Sequence, residues 1–198
     1  RAADRDRAAA GAFEAGDHVP RIREFKPIGL EAIDHHLIED IKKTGLHAQD
    51  IEILPEGRGF LLVEFGAEQQ HDAEEQARRF MEAMKDEPNA PHVRLFDDAK
   101  QTEEVWKVRE AGLGATAFIP GKPDAWPGWE DSAVPPEKVG AYLRELRALF
   151  DRYGFEPALY GHFGQGCIHC RIEFDLATPE GIDQYRRFTD DAADLVAR

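Results

Sequence analysis

Cysteine is scarce in this chain of 198 residues, which contains only Cys167 and Cys170. Their spacing is that of a redox or metal-binding CxxC pair. A zinc site of four thiolates would need a second pair, and a thioredoxin-like motif would open a helix, whereas these cysteines lie in a strand-like run. We therefore expect two ordinary thiols in a reducing, cytoplasmic compartment.

Long hydrophobic runs are missing as well. No apolar stretch approaches the roughly 20 residues that a membrane-spanning helix needs. The opening residues, RAADRDRAAAGAFEAGD, lack the apolar core of a signal peptide. We expect no transmembrane segment in the chain, and at most a peripheral contact with a membrane within a longer protein.

Positive charge is in short supply. Lys and Arg number 25 against 39 Asp and Glu, which leaves a formal net charge of −14. Such a chain would repel a phosphate backbone, so nucleic-acid binding is a poor hypothesis. Neither GxGxxG between a strand and a helix nor GxxxxGKS/T occurs, so a nucleotide cofactor would have to be held mainly by other residues.

The patterns that are present alternate between short strand-like and longer helix-like segments. Segments such as FLLVEF and CIHCRIEF alternate only partly in polarity, which favours an antiparallel sheet with one face under helices. We predict an α+β fold with a ferredoxin-like antiparallel sheet and helices packed mainly on one face. The predicted strands are PIGLEAID, GFLLVEFGA, HVRLFD, DSAVP and two around GHFGQGCIH, and the predicted helices are HHLIEDIKKTG, 71–86, 102–115, 136–153 and a last one from Pro179.

The two ends of the chain do not resemble the ends of a complete domain. Residues 1–27 are charged, rich in alanine and weakly periodic, and we interpret them as a connector or helix remnant. The last helix has no capping glycine and no strand to return to. We therefore expect residues 28–198 to form one domain of a larger protein, truncated at its C-terminal end.

The most informative segment is ALYGHFGQGCIHCRI, in which three glycines mark a tight reversal between two strands. A two-residue loop at 165–166 predicts that His162 lies directly opposite His169, and Tyr160 opposite Arg171. Opposed Cβ atoms are about 4.5–5.5 Å apart, so two imidazoles could bind one divalent metal or flank one substrate oxygen. The alternative is a pair of solvated or hydrogen-bonded histidines on a polar sheet face.

The same register separates the side chains of the hairpin into two faces. One face is polar and is expected to bear the chemistry; it carries Tyr160, His162, His169 and Arg171. The other is expected to be core; it carries Leu159, Gly161, Ile168, Cys170 and Ile172. Cys170 is then a small buried apolar residue, and Cys167 lies near the turn.

The segment GHFGQGCIH resembles the motif GHxGDGNxH of the C-terminal, or cap, domain of FAD-linked oxidases of the D-lactate and D-2-hydroxyacid dehydrogenase type. The resemblance implies that His162 and His169 are catalytic residues near the flavin. It also implies that they bind a divalent metal, often zinc, together with a glutamate from a later SGEHG-type segment. Gln165 and Cys167 depart from the usual Asp and Asn, and no SGEHG segment follows. We therefore expect the metal site in this chain to be incomplete and weak.

Two further segments carry the resemblance. VWKVRE resembles a stretch whose arginine binds the substrate carboxylate, which implies this role for Arg109; the alternative is an ordinary arginine on a helix surface. WEDSAVP resembles a strand before which some members place a second basic contact. Trp129 stands there instead, which favours a smaller or more apolar hydroxyacid over a dicarboxylate such as 2-hydroxyglutarate. Tyr160 and Arg171, on the predicted polar face, complete the candidate substrate-binding set.

The resemblance implies part of an enzyme that oxidises a D-2-hydroxyacid such as D-lactate, passing a hydride to FAD held by a domain absent from this chain. The fragment alone would be inactive. The second half is most similar to large flavoproteins with an additional iron–sulfur region, so a cluster elsewhere in the full-length protein is expected; the electron acceptor stays open. The alternative is a stand-alone ferredoxin-like domain that senses a small ligand or a metal with the same hairpin.

Overall fold

The computed structural model describes residues 2–45, 48–127 and 129–198. Within them are five strands and seven α-helices. The strands are β1 (Gly29–Asp34), β2 (Gly59–Glu64), β3 (Ser132–Ala133), β4 (Leu159–His162) and β5 (Cys167–Cys170). The helices are α1 (Ala2–Arg23), α2 (His35–Thr44), α3 (Gln70–Met84), α4 (Ala99–Glu110), α5 (Gly112–Ala117), α6 (Val139–Tyr153) and α7 (Pro179–Val196). Short 3-10 turns occupy Ala48–Ile53, Pro136–Lys138 and Phe163–Gln165.

All five strands form one antiparallel sheet in the order β2-β1-β4-β5-β3. Strand β1 pairs along its whole length with β2, from Gly29 opposite Glu64 to Asp34 opposite Gly59. Its other edge pairs with β4, which places β1 near the middle of the sheet. The predicted α+β class and the antiparallel sheet are therefore confirmed.

One predicted strand, HVRLFD, is wrong. In the described part of the chain this segment forms no strand ladder. Pro91, just before it, cannot donate a ladder hydrogen bond. Arg94 instead donates from Nη1 to the carbonyl oxygen of Ile53 at 2.9 Å and lies over the ring of Phe96. The segment lines a cavity of about 580 Å³ beside β2 and does not extend the sheet.

The alternation of side chains along β1 divides the core into two clusters on opposite faces of the sheet. Leu30 and Ala32 enter the larger cluster, together with residues of α1, α3, α6 and α7. Ile33 enters the smaller cluster, to which α2, α4 and α5 contribute. The four longest helices thus cover one face, and the functional groups of the hairpin lie on the other.

The first segment of the chain, expected to be a connector or helix remnant, is mostly helix α1. Its second half belongs to the core, because Val19 and Ile22 are no more than 2% exposed. Arg144 of α6 donates to the carboxylate of Asp17, which ties the two helices together at their surface. Across the described stretches, no helix has the length and apolar character needed to cross a membrane.

Residues 102–115, predicted as one helix, fall in two helices that meet at Ala111. The break coincides with glycines, which have low helix propensity. A Cβ at Gly112 would lie 3.4 Å from the ring of Tyr160, an ordinary van der Waals contact, so the start of α5 lies directly against β4. The end of α4 is thereby fixed beside the sheet, and it presents Arg109 to the hairpin.

Candidate functional site

The loop between β4 and β5 is longer than the sequence predicts. A two-residue loop at 165–166 is wrong; a 3-10 turn over Phe163–Gln165 is closed by Gly166, whose amide donates to the carbonyl oxygen of Phe163 at 3.0 Å. Gly166 has a φ of 76°, in the left-handed region that favours glycine. The turn places the Phe163 side chain, which is 2% exposed, in the larger core cluster.

The longer loop shifts the strand register by two residues. Tyr160 lies opposite His169, and His162 lies opposite Cys167. The predicted pairs, His162 with His169 and Tyr160 with Arg171, are therefore wrong. Because a two-residue shift keeps every side chain on its face, the two histidines are diagonal neighbours on one face. Their ring centroids are 5.0 Å apart and their ring planes are nearly perpendicular, at 85°.

The opposite face of the hairpin is core, as the alternation predicts. Four of its residues are each at most 1% exposed: Leu159, Ile168, Cys170 and Ile172. The thiol of Cys170 lies 2.9 Å from the carbonyl oxygen of Trp129, and burial raises its pKa far above the ordinary value. Cys170 is therefore a packed, protonated thiol that takes no part in the polar site.

Glu31 of β1 organises the polar face. Its side chain is only 11% exposed. One carboxylate oxygen lies 2.8 Å from Nδ1 of His162, and the other accepts from Nε and Nη2 of Arg109 at 3.0 and 2.8 Å. Sequence reasoning missed Glu31, although an acidic residue inside the apolar strand GLEAID is the kind of signal that marks a buried charge with a partner.

Arg109 is far more buried than an ordinary arginine on a helix surface, with 11% of its side chain exposed. Its guanidinium carbon lies 5.3 Å from the ring centroid of Tyr160, within cation–π distance. Together with Glu31, this contact holds the guanidinium beside the histidine pair. Nη1 of Arg109 takes part in neither of the two hydrogen bonds to Glu31, so the guanidinium keeps a donor for a further anion.

Two further acids, Glu130 and Asp131, come from the segment before β3. Glu130 accepts from the hydroxyl of Tyr160 at 3.3 Å and lies 3.8 Å from Nε of Arg171. Asp131 places Oδ1 at 3.0 Å from Nδ1 of His169 and at 3.8 Å from Sγ of Cys167. The hairpin therefore has one acidic partner on each side of its histidines, Glu31 and Asp131.

Burial changes the protonation of the residues around Asp131. It is the main cause of a lowered pKa at His169, where the neighbouring Asp131 acts in the opposite direction. It also raises the pKa of the Cys167 thiol, and the charge of Asp131 adds to that effect. At neutral pH, His169 is consequently a neutral imidazole that can accept a proton or bind a metal.

The five residues singled out from the sequence are joined in one chain of contacts, to which Glu31 and Glu130 contribute. Tyr160 is buried and its ring centroid is 5.3 Å from that of His169. Arg171 is 15% exposed, and its Nε has no hydrogen-bond partner among the described residues. Trp129 points elsewhere, since its indole nitrogen donates to the hydroxyl of Tyr142 at 3.2 Å. The second arginine on this face is Arg171, which directly follows β5.

Three side chains on this face form a group of metal-ligand type. Asp131, Cys167 and His169 each offer one ligand atom, and these atoms lie within 4.8 Å of one another. Within the described residues, His162 belongs to no such group of three, and its Nδ1 faces Glu31. The sequence did not single out Asp131, and it assigned Cys167 to the turn.

A family model described as FAD linked oxidases, C-terminal domain, matches residues 12–198. The chain is 24% identical over 191 residues to D-2-hydroxyglutarate dehydrogenase of Haemophilus influenzae, covering 91% of this chain and 19% of that protein. It is 32% identical over 104 residues to the protein of that name from Pantoea ananatis, covering 52% and 10%.

A further relative is D-lactate dehydrogenase of Archaeoglobus fulgidus, which is 26% identical over 150 residues, covering 74% of this chain and 30% of that protein. The chain therefore spans about a fifth, or less, of the D-2-hydroxyglutarate dehydrogenases that it matches. The family match, in contrast, covers nearly all of the chain. The chain belongs to the family of FAD-linked oxidase C-terminal domains, a family of oxidoreductase enzymes.

Proposed function

We propose that this domain forms the substrate side of an FAD-dependent oxidoreductase that oxidises a D-2-hydroxyacid. The observation that carries the proposal is the placement of a half-exposed histidine, His162, and a second imidazole beside the buried guanidinium of Arg109. A cation and a proton acceptor that share the Glu31 carboxylate as a neighbour match the carboxylate and hydroxyl that adjoin the same carbon in a 2-hydroxyacid. The family supplies the expectation of FAD, and its match covers residues 12–198.

In this proposal, Arg109 binds the substrate carboxylate and His169 takes the hydroxyl proton. Arg109 is held in position by Glu31 and the Tyr160 ring, so its orientation is set before substrate arrives. His169 is available to accept a proton because burial lowers its pKa and keeps the ring neutral, and the carboxylate of Asp131 would stabilise the imidazolium that forms. His162, oriented by Glu31 through Nδ1, lines the other side of the hydroxyl.

FAD supplies the hydride acceptor when it is bound. The hydrogen on the substrate's α-carbon leaves as hydride and the hydroxyl hydrogen leaves as a proton, so the product is a 2-oxoacid. The residues of this chain fit the substrate and not the cofactor's phosphates, because the sequence has no glycine-rich nucleotide loop. We infer that the FAD-binding domain of the same polypeptide holds the cofactor.

The two cations favour a dicarboxylate over D-lactate. Arg171 is largely buried, has the Glu130 carboxylate 3.8 Å from its Nε and lies on the same face as Arg109. We propose that it binds a second carboxylate, which D-2-hydroxyglutarate has and D-lactate lacks. Relatives carry both names, D-2-hydroxyglutarate dehydrogenase and D-lactate dehydrogenase. The divalent metal implied for His162 and His169, and an iron–sulfur cluster elsewhere in the full-length protein, stay predictions.

The test is flavin reduction by the full-length protein with either hydroxyacid. We expect Arg109→Lys to lower kcat/KM for both substrates by roughly tenfold or more, because lysine keeps the charge and loses the planar fork. We expect Arg171→Lys to lower kcat/KM for D-2-hydroxyglutarate much more than for D-lactate. Flavin content should stay the same in both variants.

Arg144→Lys is the matched control. Arg144 is 47% exposed on α6, on the other side of the sheet, and its ion pair with Asp17 is at the surface. This variant should leave kcat/KM unchanged. The proposal is wrong if Arg109→Lys behaves like the control for every hydroxyacid tested. A full-length protein without an FAD-binding domain would favour the alternative of a ligand-sensing or metal-sensing domain.

A further inference from the structure

We propose that the outer side of α5, marked by Leu113 and Phe118, is the surface on which the FAD-binding domain of the same polypeptide docks. The inference rests on the proposed function, because that function needs a second domain to bring the flavin to the polar face of the hairpin. It adds what the proposed function leaves open, which is the place on this chain where that domain packs.

The outer side of α5 exposes two large apolar side chains. Leu113 is 57% exposed, and Phe118, the residue that ends the helix, is 72% exposed. Phe118 is the most exposed large apolar side chain in the part of the chain that the structure describes. Scattered apolar residues are common on protein surfaces, but two on the same side of one short helix are typical of an interaction surface.

The exposed position of Phe118 is fixed by the residues around it. The next residue, Ile119, is buried, and it anchors the chain on one side of Phe118. On the other side, the carbonyl oxygen of Ala117 accepts a hydrogen bond of 3.1 Å from the amide of Ala125. A side chain held on a fixed backbone loses less conformational entropy when a partner covers it, so this surface is prepared for docking.

Helix α5 lies on the same face of the sheet as the polar groups of the hairpin. Its start lies directly against Tyr160, and Ala115 packs in the smaller core cluster with the same tyrosine. Leu113 follows Arg109 by only four residues. Because the inner side of α5 is on the sheet, its outer side points away from that face, and a body that covers the polar groups meets Leu113 and Phe118 as well.

The occupant that fits this position is the domain that holds the flavin. Hydride transfer requires the reacting atoms of substrate and flavin to lie about 3–3.5 Å apart. A hydroxyacid bound by Arg109 therefore brings the flavin, and the domain that carries it, against the face on which α5 lies. A relative of this chain has ample polypeptide for such a domain, since the match covers only 19% of the Haemophilus influenzae protein.

The experiment is site-specific photo-crosslinking in the full-length protein. A benzophenone-bearing amino acid replaces Leu113 in one variant and Phe118 in another; both side chains are largely exposed, so neither replacement removes a core contact. We expect each variant to form crosslinks within one polypeptide chain, from α5 to peptides outside residues 1–198, identified by mass spectrometry. The fraction crosslinked should be at least tenfold higher than in the control.

The matched control carries the same amino acid in place of Ile182. This residue is exposed on α7, which packs in the larger core cluster on the other side of the sheet. Circular dichroism of each variant shows that the fold is kept. Crosslinks that join two copies of the protein would assign the surface to self-association and overturn the inference. No crosslink from either α5 position, or equal crosslinking from position 182, would overturn it as well.

Flavin reduction by the unlabelled protein separates this inference from the proposed function. If α5 crosslinks to the flavin-holding domain but no hydroxyacid reduces the flavin, the docking surface stands and the proposed substrate is wrong. If hydroxyacids reduce the flavin but α5 forms no crosslink to that domain, the proposed function stands and the docking surface is wrong.

Discussion

The two faces of the β4–β5 hairpin share one backbone but have opposite chemistry. On one face Leu159, Ile168, Cys170 and Ile172 are sealed in the larger core cluster. On the other, the polar side chains meet three acids and two arginines; these polar side chains are Tyr160, His162, Cys167 and His169. The comparison shows how the apolar face supplies the packing energy that allows the polar face to hold buried charges in fixed positions.

The cysteines make the comparison sharpest. Cys167 and Cys170 are three apart, an odd number, so side-chain alternation sends them to opposite faces of one strand. Burial raises the pKa of both thiols, but only Cys167 has a carboxylate and an imidazole as neighbours. Two cysteines with CxxC spacing in a strand therefore point to opposite faces, so they form neither a redox pair nor a shared metal site.

The largest expected effect is on the apolar face. Ile168→Ala should lower the free energy of unfolding by about 3 kcal/mol, because a fully buried isoleucine leaves a cavity among rigid neighbours. The neighbouring variant on the polar face, His169→Ala, should cost less than about 1 kcal/mol. Urea denaturation of both variants measures the difference. Equal losses of unfolding free energy would contradict the conclusion that the apolar face contributes most of the packing energy.

A smaller effect is expected from the charge network. Glu31→Gln preserves the shape of the side chain but removes the negative charge beside Arg109, which is 11% exposed. We expect a loss of about 2 kcal/mol in unfolding free energy, since a mostly buried cation loses its partner. Glu24→Gln, which breaks an exposed ion pair with Arg21, should cause no measurable loss. Similar stability of the two variants would mean that Glu31 does not anchor the polar face.

The local features of this fold were predictable from the sequence. Apolar alternation marked β1 and β2, and the glycines located the reversal between β4 and β5. Side-chain alternation also placed His162 and His169 correctly on one face. A register shift of two residues leaves every side chain on the same face of the sheet. What failed was the length of the loop, because the burial of Phe163 in the core is a tertiary contact that no turn signal records.

The acidic partners could not be placed from the sequence for a related reason. Glu31 and His162 are 131 residues apart along the chain, and Arg109 and Glu31 are 78 apart. Strand patterns predict which face a residue occupies but not which distant strand lies beside it. HVRLFD shows the converse: its composition favours a strand, but strand formation needs a partner ladder, and the described part of the chain offers it none.

The smallest expected effects come from the two cysteines, and they test the difference between the faces most directly. Cys170→Ala should lower the unfolding free energy by about 1 kcal/mol, because a buried sulfur is lost from the core. Cys167→Ala should cost less than about 0.5 kcal/mol, since its side chain is only partly buried and packs in no apolar cluster of the described residues. A thiol reagent should label Cys167 in the native protein and reach Cys170 only after unfolding. A native disulfide between them, or equal labelling rates, would contradict the opposite orientation of their side chains, on which the assignment of Cys170 to the core and of Cys167 to the polar face depends.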